Sequence, residues 1–280
     1  MLKASFIAGI SLTVTLACAE GIAVLPVSAQ VLYDGSRNTP FSAQNWLAYP
    51  PPVPESVSGG GTTLNTTASN SLRVGYAISR PLNRISGYTL SFDLRLLTES
   101  HASLNRAGFS IIALGNDKRG IELGFWKSDP TVRDRIWAQN DGTTRTIPFT
   151  RAESTTFDPS RSIVRYNLSV KGNQYSLFTN GNQILSGNLR DYSRVGPPLY
   201  YNRQNFVFLG DNTESAQASV RITRVALSNT ALPFANSTNR SARLAATSVP
   251  EPMTIVGSGM AIALGGLFAR KRPSKDKKQG

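Results

Sequence analysis

The stretch GIELGFWKSDPTVRDRIWAQND, Gly120 to Asp141, decides the fold class, because apolar and polar residues alternate on both sides of a short polar segment. Alternation with a period of two is typical of a β-strand that buries one face. If 128–133 form the loop of an antiparallel hairpin, Gly124 lies opposite Trp137. The face predicted to enter the core then carries Ile121, Leu123, Phe125, Ile136 and Ala138.

The opposite face of this hairpin carries the candidate ligand-binding residues. They are Glu122, Trp126, Arg135, Trp137 and Gln139. Indole rings stack on the apolar faces of sugar rings while polar neighbours bind hydroxyl groups, so this pattern predicts a sugar-binding platform. A structural alternative stays open, in which Trp137 covers the glycine opposite it and Arg135 lies over Trp126 as a cation–π pair.

Short alternating runs continue through most of the chain, and apolar residues rarely recur at helical spacing. The predicted strands are 71–78, 88–96, 107–114, 120–127, 134–140, 163–171, 174–179, 182–186, 205–209 and 218–227. So many strands favour an all-β, two-sheet antiparallel sandwich over one open sheet. The prolines at 50–52 and glycines at 59–61 predict a mobile loop.

Three segments resemble a concanavalin A-like, laminin G-type jelly roll. GYTLSFDLRL resembles its early core strand, YSLFTNGNQILSG its hairpin turning through Asn180 and Gly181, and NFVFLGDNTESAQASVRITRVALSNTALP its closing strand pair. An Asn-Gly pair suits a type I′ turn, which needs two residues with positive φ. The resemblance covers roughly residues 88–233 and implies a fold that is often used to bind glycans or proteins.

The pattern of ionisable residues argues against an enzyme. Retaining glycosidases need two carboxylates about 5 Å apart on one face, and the acids here are isolated from one another. The single histidine, His101, is predicted to be a solvated loop residue, and the single cysteine, Cys18, lies near the N-terminus. We therefore expect non-catalytic carbohydrate binding. The alternatives are a polysaccharide-active glycosidase or lyase with dispersed residues, or a purely structural matrix protein.

No cofactor is expected, although calcium stays open as an alternative. The turns at 139–141 (QND) and 210–213 (GDNT) combine acids with amides. Each is more simply explained as a turn in which Asn or Asp accepts a local backbone hydrogen bond.

The formal net charge is +13, and arginines are scattered through the predicted strands and loops. Guanidinium groups pair well with carboxylate and sulfate, so an anionic polysaccharide is the expected acidic partner. A nucleic acid is not expected, because no run of basic residues occurs within 30–248.

The last residues combine three signals: the triplet Pro250, Glu251 and Pro252, an uncharged apolar segment at 253–269, and the cluster Arg270, Lys271 and Arg272. As a helix the segment would reach roughly 25 Å, close to the bilayer core, with the basic tail on the cytoplasmic side. Together the three closely resemble the PEP-CTERM sorting signal. That resemblance implies recognition of the triplet by an exosortase-type membrane protease and release from a transient membrane anchor. The physical pattern alone would also allow a permanent anchor.

The N-terminus predicts export. Lys3 precedes apolar stretches that end in small residues, which fits a signal peptide at 1–29 and cleavage by signal peptidase between Ala29 and Gln30. A lipoprotein anchored at Cys18 is the weaker alternative. The remaining predicted parts are one β-sandwich domain at 30–234, a linker at 235–248 and the sorting signal at 249–280. We expect a cell-surface or extracellular product.

Overall fold

A computed structural model describes residues 29–69, 71–129, 131–133, 135–142, 149–194 and 200–233. These residues form sixteen β-strands and three short 3-10 turns. The strands are β1 (Gln30–Asp34), β2 (Leu47–Ala48), β3 (Glu55–Ser58), β4 (Gly61–Asn65), β5 (Gly75–Ser79), β6 (Tyr88–His101), β7 (Ser110–Leu114), β8 (Arg119–Phe125), β9 (Ile136–Gln139), β10 (Arg151–Thr155), β11 (Val164–Lys171), β12 (Gln174–Thr179), β13 (Asn182–Asn188), β14 (Arg190–Asp191), β15 (Phe206–Gly210) and β16 (Ala216–Ser228).

The strands form two antiparallel sheets, which confirms the predicted two-sheet sandwich. Sheet A has the order β13-β12-β11-β6-β16-β4-β3, and β1 also pairs with β16. Sheet B has the order β10-β9-β8-β7-β15-β5-β2, and β14 also pairs with β8. The two long strands, β6 and β16, lie side by side at the centre of sheet A over most of their length.

The main core lies between the inner faces of the two sheets. Phe92 and Tyr166 of sheet A stack with ring centroids 5.4 Å apart. Phe125 of sheet B meets the ring of Tyr166 edge to face at 5.7 Å. All three side chains are buried, so the aromatic contacts bridge the sheets as period-two alternation predicts.

All ten predicted strands are present, β12 with the predicted ends and the other nine with shifted ends, and six short strands were missed. The missed strands are β1, β2, β3, β4, β10 and β14. The prediction of a loop through 59–61 is wrong, because Ser58 pairs with Gly61 and the two strands form a hairpin. Gly59 and Gly60 make its two-residue turn at φ 50° and 78°, a conformation that glycine adopts at little cost. Asn180 and Gly181, at φ 50° and 76°, confirm the other predicted turn.

The predicted export and sorting segments fall almost entirely outside the described residues. These include residues 1–28, the linker at 235–248 and the tail at 249–280, with its apolar segment at 253–269. Gln30, the predicted first residue of the mature chain, begins β1. Within the described part of the chain, no helix has the length and apolar character needed to cross a bilayer.

Candidate functional site

The predicted hairpin register is correct where the structure describes it. Gly124 pairs with Trp137, and the backbone N–H of Trp126 donates to the carbonyl of Arg135 at 2.7 Å. The five residues predicted for the core face are all buried in the main core. The outer face of sheet B therefore carries the other set, as the alternation requires.

Four of the five candidate ligand residues come together on this outer face, but they are covered. Glu122, Trp126, Trp137 and Gln139 are each at most 1% exposed. A sugar ring stacks only on an accessible ring face, so a ligand would reach these indoles only after the covering residues moved aside. Arg135 lies apart from them, because its guanidinium forms an ion pair with Asp158 at the side of the sheet.

Trp137 lies over the glycine opposite it. A Cβ atom added to Gly124 would come within 2.8 Å of Trp137 Cζ2, so the absence of a side chain at 124 is what lets the ring lie there. The guanidinium of Arg151 lies 4.4 Å from the Trp126 ring centroid and 4.2 Å from that of Trp137. The cation over the indoles is therefore Arg151, and the cation–π pair expected between Arg135 and Trp126 is wrong.

Glu122 is the centre of a buried polar network that joins three loops to β8. Asn212 Nδ2 donates to Glu122 Oε1 at 2.9 Å, the Tyr201 hydroxyl donates to Oε2, and Arg106 Nη2 lies 3.7 Å from Oε1. Burial alone would lower the pKa of Arg106, but the Glu122 carboxylate and Tyr201 outweigh it and raise that pKa above its ordinary value. The network therefore keeps a guanidinium charged beneath the surface of sheet B. Burial raises the pKa of the Tyr201 hydroxyl well above its usual range.

A second layer of aromatic rings covers this network. Tyr192 and Tyr201 stack at 5.0 Å, and Phe149 stacks against the Tyr201 ring at 5.1 Å. The guanidinium of Arg106 lies 5.0 Å from the Phe149 ring centroid. Its Nη1 atom is buried and has no hydrogen-bond partner among the described residues. A basic and a tyrosine side chain thus converge here on Glu122, and both are enclosed.

The interpretation of His101 as a solvated loop residue is wrong. His101 ends β6, and only 9% of its side chain is exposed. Its Nδ1 atom lies 2.9 Å from Glu99 Oε1, its Nε2 atom lies 3.1 Å from Asp129 Oδ2, and its ring stacks on Trp126 at 3.6 Å. Burial raises the pKa of Glu99 to about 7. The cluster ties β6 of sheet A to the loop between β8 and β9 of sheet B.

The turn at 210–213, one of the two calcium alternatives, directs its polar groups inward. Thr66 Oγ1 donates to Asp211 Oδ2 at 3.0 Å, and the Thr213 backbone N–H donates to Oδ1 at 3.0 Å. Burial raises the pKa of Asp211 to about 8. Among the described residues no three His, Cys, Asp or Glu side chains group in a way that could hold a metal ion.

An open groove lies at the other end of the outer face of sheet B. It has a volume of about 520 Å³ and runs along β2, β5 and the segment before β15. Its apolar wall includes Leu47, Tyr49 and Phe206, and its polar atoms come from Ser79, Arg203 and Gln204. Among its described lining residues there is no carboxylate or imidazole, and the titratable side chains are those of Tyr49 and Arg203.

Arg203 is the charged group of this groove. Its guanidinium lies 5.1 Å from the Tyr49 ring centroid, and its Nε donates to the Tyr49 hydroxyl at 3.1 Å. Within the described part of the chain, no acid forms an ion pair with it. The terminal amino groups of Arg203 are therefore available to a ligand carboxylate or sulfate.

Sequence reasoning missed this groove entirely. Tyr49 precedes three prolines that were interpreted as part of a loop, and Arg203 lies 154 positions further on. No local pattern joins two such distant positions. The signal nearest to this groove in the sequence is the density of tyrosines and phenylalanines on both sides of Arg203, which includes Tyr200 and Phe206.

No family model matches this chain, and no curated protein sequence matches it. Several solved structures are similar in fold. A carbohydrate esterase from Shiga toxin-encoding bacteriophage phi24B is 14% identical, with 71% of this chain and 98% of that chain covered and a TM-score of 0.49. A galectin-like protein of unknown function from Bacillus subtilis is 11% identical, with 73% and 98% covered and a TM-score of 0.46. The carbohydrate recognition domain of Emp46p is 12% identical, with 72% and 97% covered and a TM-score of 0.44. These likenesses are too distant to assign a site or an activity.

Proposed function

We propose that this chain is a non-catalytic carbohydrate-binding protein that is exported and associates with an anionic extracellular polysaccharide. The observation that carries the proposal is the open groove of sheet B. Its apolar wall at Leu47 and Tyr49 suits the carbon face of a sugar ring, while Ser79, Arg203 and Gln204 supply hydrogen-bonding groups. No carboxylate occurs among the described lining residues, so the groove lacks the pair of carboxylates that glycosidases use, and this favours binding over glycosidase cleavage.

The charge of the groove favours an acidic sugar. Arg203 is its one charged lining residue in the described part of the chain, and the whole chain carries a formal charge of +13. A guanidinium can hold a carboxylate through two parallel hydrogen bonds. A neutral sugar has no carboxylate to accept them. A uronic acid residue within a longer polysaccharide is therefore the proposed ligand.

Calorimetry with the purified chain tests this proposal. Polygalacturonate should bind, and neutral dextran should bind much more weakly. Arg203→Ala should weaken polygalacturonate binding about tenfold, which corresponds to roughly 1.4 kcal/mol. Arg161→Ala is the matched control, because the Arg161 side chain is 84% exposed and lies in a turn of 159–162 outside the groove. Equal affinity of the wild-type chain and the Arg203 variant would exclude the groove as the site.

The proposal includes delivery by the two terminal signals. Signal peptidase would cut between Ala29 and Gln30, and an exosortase-type protease would cut near the triplet Pro250, Glu251 and Pro252. Mass spectrometry of the mature protein should find Gln30 at its start and no peptide beyond the triplet. A Glu251→Ala variant should stay in the membrane fraction. A mature wild-type product that keeps its basic tail would replace sorting with permanent anchoring.

A polysaccharide-cleaving enzyme is the second candidate, favoured by the convergence of Arg106, Glu122 and Tyr201 under the aromatic layer. A turnover assay on polygalacturonate separates the two functions. Cleavage that is lost in Tyr201→Phe but retained in Arg203→Ala would support the enzyme. Binding without cleavage would support the carbohydrate-binding protein.

A further inference from the structure

The outer face of sheet A carries a row of charges that alternate in sign. Arg165 of β11 lies opposite Asp93 of β6, Asp93 lies opposite Arg224 of β16, and Arg224 lies opposite Asp34 of β1. Arg165 donates from Nε and Nη2 to the two carboxylate oxygens of Asp93 at 2.8 and 2.7 Å. Opposite charges at facing positions stabilise an antiparallel pair, so this row is neutral without any ligand.

The adjacent row on the same face breaks that rule. Arg95 of β6 lies directly opposite Arg221 of β16. The neighbours of each along its strand are buried core residues, so both side chains project outward. Like charges at facing positions destabilise a sheet. Neither arginine forms an ion pair with any described residue.

Both guanidinium groups are anchored by backbone carbonyls rather than by acids. Arg95 Nε donates to the carbonyl of Ser160 at 2.9 Å. Arg221 Nη2 donates to the carbonyls of Ser58 and Gly59 at 2.8 and 2.6 Å. Each arginine has five N–H donors, so most of them remain for a ligand. These contacts direct Arg95 towards Ser160 and Arg221 towards the turn between β3 and β4. The two guanidinium groups therefore form a positive band that crosses the strands.

On the side of β3 and β4, the residues beside this band are polar and uncharged. Thr63 of β4 lies opposite Arg221, and Ser56 of β3 lies opposite Thr63. In the next row Ser219 lies opposite Asn65. Hydroxyl and amide groups beside unneutralised guanidinium groups suit a ligand that carries both hydroxyls and acidic groups along one chain.

We propose that Arg95 and Arg221 form an anion-binding site on the outer face of sheet A, and that an acidic polysaccharide chain crosses the strands there. The site lies on the sheet opposite the groove and uses none of the groove's residues. It provides an extended contact for acidic groups, since the two arginines face the same side from neighbouring strands. The bound anions would relieve the repulsion between the two arginines.

Titration of the full chain with dextran sulfate, with neutral dextran as the reference, tests this site. The double variant Arg95→Gln with Arg221→Gln should lose about tenfold or more in affinity for dextran sulfate, and its affinity should depend less steeply on salt concentration. The double variant Arg165→Gln with Asp93→Asn is the matched control, because it removes an ion pair from the same face without changing the net charge. It should change the affinity less than about twofold.

Further variants keep the result interpretable. Arg221→Lys retains the charge, so it should bind dextran sulfate more tightly than Arg221→Gln, and Arg95→Gln alone avoids disturbing the β3–β4 turn. The loss of dextran sulfate affinity in the double variant should be the same in an Arg203→Ala background, whether or not the groove binds polygalacturonate, which separates this site from the proposed function. Equal losses in the Arg95 and Arg221 double variant and in the Arg165 and Asp93 control would overturn the proposal. Tighter binding of duplex DNA than of dextran sulfate would also overturn it, in favour of nucleic acid.

Discussion

The outer faces of the two sheets use polar residues in opposite ways. On sheet B the outward Glu122 and Gln139 are each 1% exposed and lie under a second layer of the chain. On sheet A the outward Asp93, Arg95 and Arg165 are partly or fully exposed. A buried polar group must be satisfied by its own protein, whereas an exposed one can exchange its partner with water or a ligand.

This difference determines how each face should be interpreted. Most polar groups of the sheet B network bind one another, so its residues are expected to act mainly on stability. The facing arginines of sheet A, Arg95 and Arg221, repel each other and use only some of their N–H donors on backbone carbonyls, so the remaining donors are left for a ligand. Substitutions on the two faces should therefore separate effects on stability from effects on binding.

The largest effect is expected at Glu122. Replacement by Ala leaves Arg106 buried without its charge partner and removes the acceptor of the Tyr201 hydroxyl. Breaking a buried ion pair in this way should lower the free energy of unfolding by about 3 to 5 kcal/mol. Urea denaturation followed by tryptophan fluorescence measures this free energy of unfolding. Asp93→Ala on sheet A is the control. A loss below about 1 kcal/mol, the size of an exposed pair, would mean that the sheet B network is not structural.

The second prediction is that stability falls as pH rises above about 4. The pKa of Glu99 is raised from 4.5 to about 7 and that of Asp211 from 3.8 to about 8, in both cases chiefly by burial. Folding therefore favours their protonated forms, and this contribution is complete below the unfolded pKa values and lost as pH rises through the folded ones. Between about pH 4.5 and 8 the free energy of unfolding should fall by about 2 to 4 kcal/mol.

Urea denaturation at a series of pH values tests this prediction. Glu99→Gln and Asp211→Asn should each flatten the curve, while Glu214→Gln, at an exposed acid, should leave it unchanged. Acids with lowered pKa values act in the opposite direction at lower pH. Hydrogen bonds from Ser160 and Arg135 outweigh burial and lower the pKa of Asp158 to about 2, so its contribution is lost only below the unfolded value of 3.8. A stability maximum near pH 8 would contradict the burial of Glu99 and Asp211.

The third prediction concerns Gly124 under Trp137. A Cβ atom there would lie 2.8 to 2.9 Å from the indole ring, so Gly124→Ala should push Trp137 away from β8. We expect a loss of about 1 to 3 kcal/mol in the free energy of unfolding, as for an overpacked core. The near-ultraviolet circular dichroism of the tryptophans should change as well.

The control for this substitution is Gly172→Ala. Gly172 has φ 62°, and no atom lies within 4 Å of the place where an alanine methyl group would stand, so only backbone strain applies, roughly 1 kcal/mol. Its near-ultraviolet spectrum should match that of the wild-type chain. Identical spectra for the two alanine variants would show that Trp137 does not depend on the empty space at 124.

The sequence was sufficient where the determining pattern was local. Alternation within one hairpin correctly predicted that Gly124 faces Trp137 and which face enters the core. The Asn180-Gly181 turn was likewise predictable, because two adjacent residues determine its backbone conformation. Short strands such as β14 were missed, since two residues are too few to show a period.

The surroundings of the candidate residues could not be predicted, because distant segments provide them. Tyr201, which binds Glu122, comes from a segment 79 positions further along the chain. Arg151, which lies over both indoles, begins β10, a strand that the sequence did not predict. The sequence predicts a solvated His101, because Asp129, the acid that binds its Nε2 atom, belongs to another loop. Alternation gives the side of the sheet a residue faces, but not whether another segment covers that side.

The smallest expected effect tests the comparison on sheet A itself. Arg165 and Asp93 form a two-bond ion pair, but the Arg165 side chain is 57% exposed, so water and salt screen much of their attraction. A double-mutant cycle with Arg165→Ala and Asp93→Ala should give a coupling of only about 0.2 to 1 kcal/mol, and it should shrink at high salt. The matching cycle with Arg95→Ala and Arg221→Ala should give a coupling of opposite sign, because that pair repels. Adding dextran sulfate should reverse the sign of the coupling between Arg95 and Arg221. The coupling between Arg165 and Asp93 should stay unchanged. A favourable coupling between Arg95 and Arg221 without any anion would show that the pair is stabilised within the protein, and the explanation by a ligand would then fail.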